Sequence, residues 1–441
     1  MTQRRLLLAT LASLTLSSAL ALMADRAAAE DWPQWRGPNR DGVWTETGIV
    51  DKFAAPQLAI KWRAPLGSGY SGPTVAAGRV YVTDRLVEPK QQERVWCFDE
   101  QTGKALWSHV YDCTYVGVGY VAGPRASVTI EDGRAYSLGT MGDLFCFDAA
   151  TGSVHWSHRL KDEYDIDIPG WGLTASPLVE GNLVILHIGG AEKACVVALD
   201  TQTGGERWRA LPDKVSYSSP IVIEQAGRRV LVVWTGDHVA GLDPQSGKIL
   251  WQEPFPPKRM VIGVATPIVS RNRLFVTSFY DGAMLLELAS DHPAAAKLWH
   301  RAGANEIQTD AIQPIIATPM WKGDHIYGVD SYGQLRCLDA KNGDRVWENL
   351  TATPNVRWGT IHFVNNGDRT WMFNELGELL ITRLSPQGYE ELSRAKLIEP
   401  TTEQLRRRGD QGVCWSHPAF ANRHVFARND VELVAASLAA E

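Results

Sequence analysis

Residues 337–347 read CLDAKNGDRVW, and this stretch carries the pattern that decides the fold. The pattern has Asp at its third position, Gly at its seventh and Trp at its eleventh. The same three residues recur in phase in four further stretches: 97–107 (CFDEQTGKALW), 146–156 (CFDAATGSVHW), 198–208 (ALDTQTGGERW) and 241–251 (GLDPQSGKILW). Five in-phase copies identify an internal repeat, and an internal repeat predicts a repeated architecture.

Each fixed position of the repeat has a physical role. The Asp side chain accepts hydrogen bonds from backbone N–H groups that follow it, which starts an Asx-turn. The Gly supplies the positive φ that a tight hairpin needs. The Trp falls in the next strand, where its large ring is suited to pack against a neighbouring repeat. The motif therefore predicts two strands, their turn and an aromatic anchor.

The spacing of the anchors sets the number of repeats. Seven tryptophans, 43–52 residues apart, occupy the anchor position: Trp62, Trp107, Trp156, Trp208, Trp251, Trp299 and Trp347. Residues 57–441 hold eight repeats of about 48 residues, and the clearest repeat reads as four short antiparallel strands. The sequence thus predicts an all-β fold, an eight-bladed β-propeller of four-stranded antiparallel blades. In the seventh repeat, Tyr389 is predicted to replace the Trp.

The two ends of the propeller region complement each other. The last repeat has three predicted strands, whereas residues 59–64 carry an anchor Trp without strands before them. We expect the propeller to close by pairing this N-terminal strand with the last blade, at 425–427 or 431–437. Closure removes the open sheet edges that invite aggregation.

The first 56 residues divide into two segments. Residues 1–29 have Arg4 and Arg5, an apolar run at 6–22 and small residues at 27–29, which is typical of a signal peptide. We expect its cleavage, a periplasmic or secreted protein and no membrane span, with the general and twin-arginine export routes both open. Residues 30–56 form a Trp/Pro/Gly-rich N-terminal segment that is predicted to pack irregularly across the propeller of 57–441.

The net charge of the chain bears on the class of partner that it can bind. The net charge is −6, and removing residues 1–29 changes it to −8. This acidic balance argues against a nucleic-acid partner.

Cys97, Cys146 and Cys337 share one repeat position and are predicted to be buried apolar residues. Cys113 and Cys414 lie in predicted loops, and the sequence leaves open whether they form a disulfide.

The five motifs resemble the tryptophan-docking repeat of the PQQ-like β-propeller family (PQQ, pyrroloquinoline quinone). The resemblance covers nearly all of residues 57–441. It implies either a quinoprotein alcohol dehydrogenase or a non-catalytic BamB-like scaffold of the cell envelope. The sequence departs from both: it has no adjacent cysteines and no CxxCH motif, and its first cysteine is Cys97, which predicts no lipid anchor.

On a propeller, a site is expected in the central funnel, at the loops that enter each inner strand. These loops contain six aromatic residues and have two arginines nearby: Tyr70, Tyr120, Trp171, Tyr217, Trp358, Trp415, Arg125 and Arg357. Aromatic rings with an arginine suit a planar anionic quinone. The alternative is that these rings only pack between blades.

No catalytic residue and no metal site is identifiable by motif. The predicted function is therefore an exported, non-catalytic binding scaffold of the cell envelope. We expect its partners to be other envelope or secreted proteins, and we expect the propeller to be a monomer. The alternative is a PQQ- and Ca²⁺-dependent quinoprotein dehydrogenase that oxidises alcohols or sugars, for which PQQ and Ca²⁺ are the implied cofactors.

Overall fold

The computed structural model describes residues 30–402 and 412–440. The predicted signal peptide, residues 1–29, lies outside the described residues. The described chain forms 32 strands in eight four-stranded antiparallel sheets, together with one short helix, α1 (Leu160–Glu163). None of the described helices is long and apolar enough to cross a membrane.

The sheets are the blades, numbered here in chain order. The first strand is β1 (Ile60–Pro65), and blade 1 follows with β2 (Thr74–Ala76), β3 (Arg79–Leu86), β4 (Gln92–Asp99) and β5 (Ala105–Asp112). Blade 2 has β6 (Thr129–Glu131), β7 (Arg134–Leu138), β8 (Asp143–Asp148) and β9 (Val154–Arg159). Blade 3 has β10 (Leu178–Glu180), β11 (Leu183–Gly190), β12 (Ala194–Asp200) and β13 (Glu206–Ala210). Blade 4 has β14 (Ile221–Gln225), β15 (Arg228–Trp234), β16 (His238–Leu242) and β17 (Ile249–Pro254).

The second half of the ring has the same organisation. Blade 5 has β18 (Ile268–Ser270), β19 (Arg273–Ser278), β20 (Gly282–Leu288) and β21 (Ala295–Arg301). Blade 6 has β22 (Met320–Lys322), β23 (His325–Val329), β24 (Leu335–Asp339) and β25 (Arg345–Asn349). Blade 7 has β26 (Ile361–Asn366), β27 (Arg369–Asn374), β28 (Glu378–Ser385) and β29 (Gly388–Lys396). Blade 8 has β30 (Ala419–Ala421), β31 (His424–Arg428) and β32 (Glu432–Ser437).

The ring closes through the first strand. β1 is the fourth strand of blade 8 and pairs antiparallel with β32, with Trp62 opposite Ala435 and Ala64 opposite Leu433. The predicted eight-bladed all-β propeller and its closure are both confirmed. The second of the two predicted partner segments, residues 431–437, contains the strand that pairs.

Most seams between blades repeat one contact. The indole Nε1 of the anchor Trp donates a hydrogen bond to a backbone carbonyl of the next blade, as from Trp208 to Pro244 at 3.1 Å. The ring of Trp208 packs on the motif glycine of that blade, Gly247, where a Cβ atom would lie 2.5 Å from the indole. Gly247 also has φ +69°. The Gly of one copy and the Trp of the preceding copy therefore form a single contact, which explains why they recur together.

Two seams depart from this rule. Blade 5 lacks the motif turn, and Trp251 donates instead to the side-chain oxygen of Gln225 at 2.9 Å. Gln225 in turn donates to the carbonyls of Ala289 and Ala294 in blade 5. One buried side chain thus replaces the missing backbone acceptor.

The seventh anchor was wrongly predicted. The register places Ser393, opposite Ile381, at the position that Trp occupies in other blades. Tyr389 packs in the same cluster as Trp347, in the preceding seam. Ser393 has no aromatic ring to fill this position. Phe53 of the N-terminal segment lies beside it, and the backbone N–H of Phe53 donates to Ser393 Oγ at 3.0 Å.

The N-terminal segment crosses the central channel. Trp32 pairs with Val75 of blade 1, and the N–H of Trp44 donates to Asn365 of blade 7. Between them, Trp35 donates to Thr266 Oγ1 at 2.7 Å. Arg40 donates to backbone carbonyls at the start of blades 3 and 4. Residues 32–44 therefore tie together blades that are distant around the ring.

Candidate functional site

A cavity of about 140 Å³ lies at the centre of the funnel. Its walls come from loops that enter the inner strands of different blades, and its other end is bounded by Trp35 of the N-terminal segment. Seven of its sixteen lining residues are tryptophans or tyrosines, and these are Trp35, Tyr70, Tyr120, Trp171, Tyr217, Trp358 and Trp415.

The structure brings together most of the residues that the sequence singled out. Tyr70, Arg125, Trp171, Trp358 and Trp415 all line this cavity, as do Tyr120 and Tyr217. These residues are far apart in sequence, and the ring arrangement of the blades is what collects them.

Arg357 is the exception among the predicted candidates. Its guanidinium lies over the Trp358 ring, 4.7 Å from the ring centroid, and its Nη2 donates to Glu306 Oε2 at 2.9 Å. Arg357 is not part of the cavity lining. Arg357 packs on the Trp358 ring from outside the cavity and forms an ion pair with the Glu306 carboxylate.

Sequence reasoning missed three ring-bearing residues of the lining, Trp35, His362 and His417. Trp35 belongs to the N-terminal segment, which was assigned a packing role only, and its ring lies 4.4 Å from that of His417. His362 and His417 start inner strands or precede them. The Trp/Pro/Gly-rich composition of residues 30–56 was the available signal for Trp35. No local pattern marks the two histidines.

Arg125 is the charged group of the described lining. Its two Nη atoms donate to the backbone carbonyls of Gly119, Tyr120 and Gly123, and its guanidinium lies 5.0 Å from the Tyr70 ring centroid. Among the described residues no carboxylate forms an ion pair with Arg125, and the Glu93 carboxylate acts on it electrostatically without a direct contact. Burial lowers the pKa of Arg125 from its usual value. A guanidinium nevertheless keeps its proton in proteins, so the group is a cation.

The two histidines are uncharged at neutral pH. Burial lowers the pKa of His362 to about 4 and that of His417 to about 3. A ring nitrogen of His362 lies 2.9 Å from the Trp415 carbonyl, and one of His417 lies 2.8 Å from Ser127 Oγ. The cavity is therefore apolar and aromatic, with one positive charge at its wall.

Tyr120 lies between loops from several blades. Its ring centroid is 6.0 Å from those of Trp171 and Trp358 and 5.9 Å from that of Trp415. Its backbone has φ +53°, a conformation that is uncommon for a residue with a side chain. The 115–122 loop thus holds one ring across the funnel.

The lining does not fit PQQ with Ca²⁺. Ca²⁺ takes six to eight oxygen ligands, usually including carboxylates, and the described lining contains neither Asp nor Glu. The described residues contain no group of three His, Cys, Asp or Glu side chains placed to hold a metal. One arginine also matches only one carboxylate, whereas PQQ carries several on a fused-ring body that is large for a 140 Å³ cavity.

Comparison with solved structures places the fold among known propellers. Quinohemoprotein alcohol dehydrogenase from Comamonas testosteroni matches with a TM-score of 0.65 and 14% identity, covering 95% of this chain and 82% of that chain. BamB from Moraxella catarrhalis matches with a TM-score of 0.56 and 15% identity, covering 86% and 99%. At these identities the likeness shows the fold alone.

Comparison of the amino-acid sequence finds matches to BamB proteins. Outer membrane protein assembly factor BamB of Yersinia pestis is 24% identical over 194 residues, which cover 41% of this chain and 46% of that protein. The match thus spans less than half the length of that relative. The family described as outer membrane protein assembly factor BamB matches residues 46–116 and 91–349. The resemblance to PQQ-like propellers is thereby confirmed, and the chain belongs to the BamB family.

Proposed function

We propose that this chain is a non-catalytic scaffold of the cell envelope that contributes to outer-membrane protein assembly. The observation that carries the proposal is the chemistry of the funnel. Oxidation of an alcohol by a quinone needs a base beside the substrate hydroxyl and a cation that polarises the reactive carbonyl. The described lining offers one arginine, two neutral histidines and no carboxylate.

The face around the funnel supports a role in protein binding. Four apolar side chains in the loops between blades are well exposed: Val116, Val121, Met260 and Ile307, at 64%, 53%, 48% and 61%. Apolar side chains around a concavity are a common feature of protein-binding surfaces. They lie in the same loops that line the cavity, so a partner that covers the funnel also covers them.

An enzymatic assay tests the non-catalytic part of the proposal. Mature protein is incubated with PQQ and Ca²⁺, and dye reduction is followed with primary alcohols and with aldose sugars. We expect no reduction above the rate without protein. Substrate-dependent reduction would instead establish the dehydrogenase alternative.

Complementation tests the scaffold role. In a strain without this chain, we expect lower amounts of outer-membrane β-barrel proteins and recovery with the wild type. A Val116→Asp/Ile307→Asp variant should fail to restore them, because two charges disrupt the apolar face. Val154→Asp is the matched control, since Val154 is 43% exposed on an outer strand away from the funnel. Equal recovery with both variants, at equal protein level, would contradict the proposed surface.

The proposed location is the periplasm. The chain should be recovered in the periplasmic fraction with residues 1–29 removed, so that the intact mass corresponds to a start near Glu30. Retention of residues 1–29 in the exported protein would contradict the signal-peptide prediction. Cytoplasmic recovery would contradict the envelope role.

A further inference from the structure

We infer that the funnel cavity binds a small aromatic monocarboxylate, whose ring lies between the aromatic walls and whose carboxylate meets Arg125. The inference goes beyond the proposed scaffold role and does not depend on it. It concerns a small-molecule site in the same molecule, and it rests on the size, walls and charge of the cavity.

The size of the cavity selects a single ring. Its volume is about 140 Å³, and an apolar protein cavity of roughly 150 Å³ is known to accept benzene. A fused three-ring body needs considerably more space. The predicted ligand is therefore of benzoate size, with any further substituent directed towards the open mouth.

The walls favour a flat apolar group. Trp171 and Tyr217 lie 4.9 Å apart with an interplanar angle of 31°, and Tyr70 and Trp415 lie 6.3 Å apart at 33°. Faces and edges of such rings pack well against another aromatic ring. Aliphatic side chains, among them Val264 and Ile315, complete the walls. An aliphatic ligand would gain burial but not these ring contacts.

The charge of the site selects an anion. Arg125 is held in place by three backbone carbonyls, which are neutral acceptors. The Glu93 carboxylate acts on its charge without forming an ion pair with it, so among the described residues the guanidinium has no carboxylate in direct contact. A carboxylate gains a charge-assisted hydrogen bond to such a group. Because the guanidinium is already oriented, little conformational entropy is lost on binding. An ammonium ligand would instead be repelled, since the described lining has no acidic group to receive it.

Tyr120 contributes one of the aromatic rings that line this site. Its loop contains Gly117 at φ +72° and two highly exposed valines, Val116 and Val121. The ring contacts indoles of three other loops. Tyr120→Ala should therefore accelerate dissociation of the ligand, because it removes one of the rings that contact it.

Three probes with the same ring and different charge provide the test. Benzoate, benzamide and benzylammonium are titrated into the mature protein by calorimetry, with tryptophan fluorescence as a second readout. We expect benzoate to bind about tenfold more tightly than benzamide, the difference that a charge-assisted hydrogen bond supplies. Benzylammonium should bind more weakly than benzamide.

A matched pair of arginine variants locates the charge. Arg125→Gln should reduce the preference for benzoate over benzamide to about onefold. Arg259→Gln should keep it, because Arg259 also stacks on a tyrosine, Tyr280 at 5.3 Å, but is exposed outside the cavity. Circular dichroism checks that both variants are folded.

Binding of the three probes to the wild type tests the inference even if the Arg125→Gln variant does not fold. Equal binding of benzoate and benzamide to the wild type, tighter binding of benzylammonium, or absence of benzoate binding would each overturn the inference. So would an unchanged preference in folded Arg125→Gln protein. None of these results affects the complementation assay, so failure of the ligand site and failure of the scaffold role are distinguishable.

Discussion

Tryptophan residues build both the seams between blades and the funnel, but in different ways. At a seam, Trp208 donates to the Pro244 carbonyl and packs on Gly247, and the same pair of contacts recurs around most of the ring. In the funnel, Trp171, Trp358 and Trp415 come from unrelated loops and meet through Tyr120. The seam contact is a repeated unit of stability, whereas the funnel is assembled once.

This difference predicts different consequences of mutation. A seam Trp joins two blades, so its loss weakens the closed ring. A funnel Trp contributes a wall to a cavity, where space already exists beside the ring. Changes at the seams should therefore lower the free energy of unfolding, and changes in the funnel should mainly alter binding.

The largest expected effect is that of Trp208→Ala. Truncation of a buried aromatic residue costs about 3–5 kcal/mol, and here it also leaves the Pro244 carbonyl without its donor. Trp171→Ala, the funnel counterpart, should cost about 1 kcal/mol or less. Chemical denaturation of both variants measures the difference. Equal losses would show that the two kinds of tryptophan have the same structural role.

A pair of glycines isolates the seam contact. Gly247→Ala places a methyl group against the Trp208 indole, whereas Gly227→Ala, at the same φ of +69°, has nothing within 4 Å. Both pay the backbone cost of a left-handed alanine, about 1–2 kcal/mol. Gly247→Ala should lose about 1–3 kcal/mol more, because it overpacks the seam. If the two variants unfold alike, the Gly–Trp contact contributes nothing.

The irregular seam offers a smaller effect. Gln225→Ala removes the acceptor for Trp251 and the donor to two carbonyls of blade 5. Unsatisfied buried groups of this kind cost about 1–3 kcal/mol. Gln245→Ala, at an exposed position in the same blade, should be nearly neutral. A neutral Gln225→Ala would mean that the Trp251 ring alone maintains this seam.

The same distinction explains what could be predicted from the sequence. The motif copies predicted the blades, the anchors and the closure, because Asp, Gly and Trp act locally or on the adjacent repeat. Tyr389 was misassigned because blade 7 has no motif, and only the strand register shows that Ser393 holds the anchor position. Where the repeat is absent, composition alone did not identify the partner across the seam.

The funnel was predicted in part for a similar reason. Knowing that inner-strand loops converge was enough to select Tyr70, Arg125, Trp171, Trp358 and Trp415. It was not enough to place Arg357, which pairs with Glu306 outside the lining, or to include Trp35, which reaches the axis from outside the repeats. Side-chain direction and long-range pairing decide these cases, and neither is encoded in repeat spacing.

The smallest expected effect concerns two aspartates whose charges act with opposite sign. Asp200 is the motif aspartate of blade 3, and hydrogen bonds from Arg207 and Thr203 lower its pKa to about 2. Asp143 lies in the seam between blades 1 and 2, where burial, with the nearby Glu93 carboxylate, raises its pKa to about 6. Their usual pKa is 3.8. Ionisation of Asp200 therefore favours the folded state, and ionisation of Asp143 opposes it.

These pKa shifts act in separate pH windows. Because Asp143 binds its proton more tightly when folded, the protein loses stability as pH rises from about 4 to above 6. Asp143→Asn should remove that loss. Between pH 4 and pH 7 its free energy of unfolding should rise by about 1 kcal/mol relative to wild type, a modest value because water partly screens the side chain.

Asp200→Asn should instead lower the free energy of unfolding at pH 7. The difference from wild type should become smaller only below pH 4, as wild-type Asp200 becomes protonated. Urea denaturation at intervals from pH 3 to pH 7 measures both variants. A gain for Asp143→Asn that is independent of pH would show that its effect comes from packing, and the contrast between seam and motif aspartates would then fail.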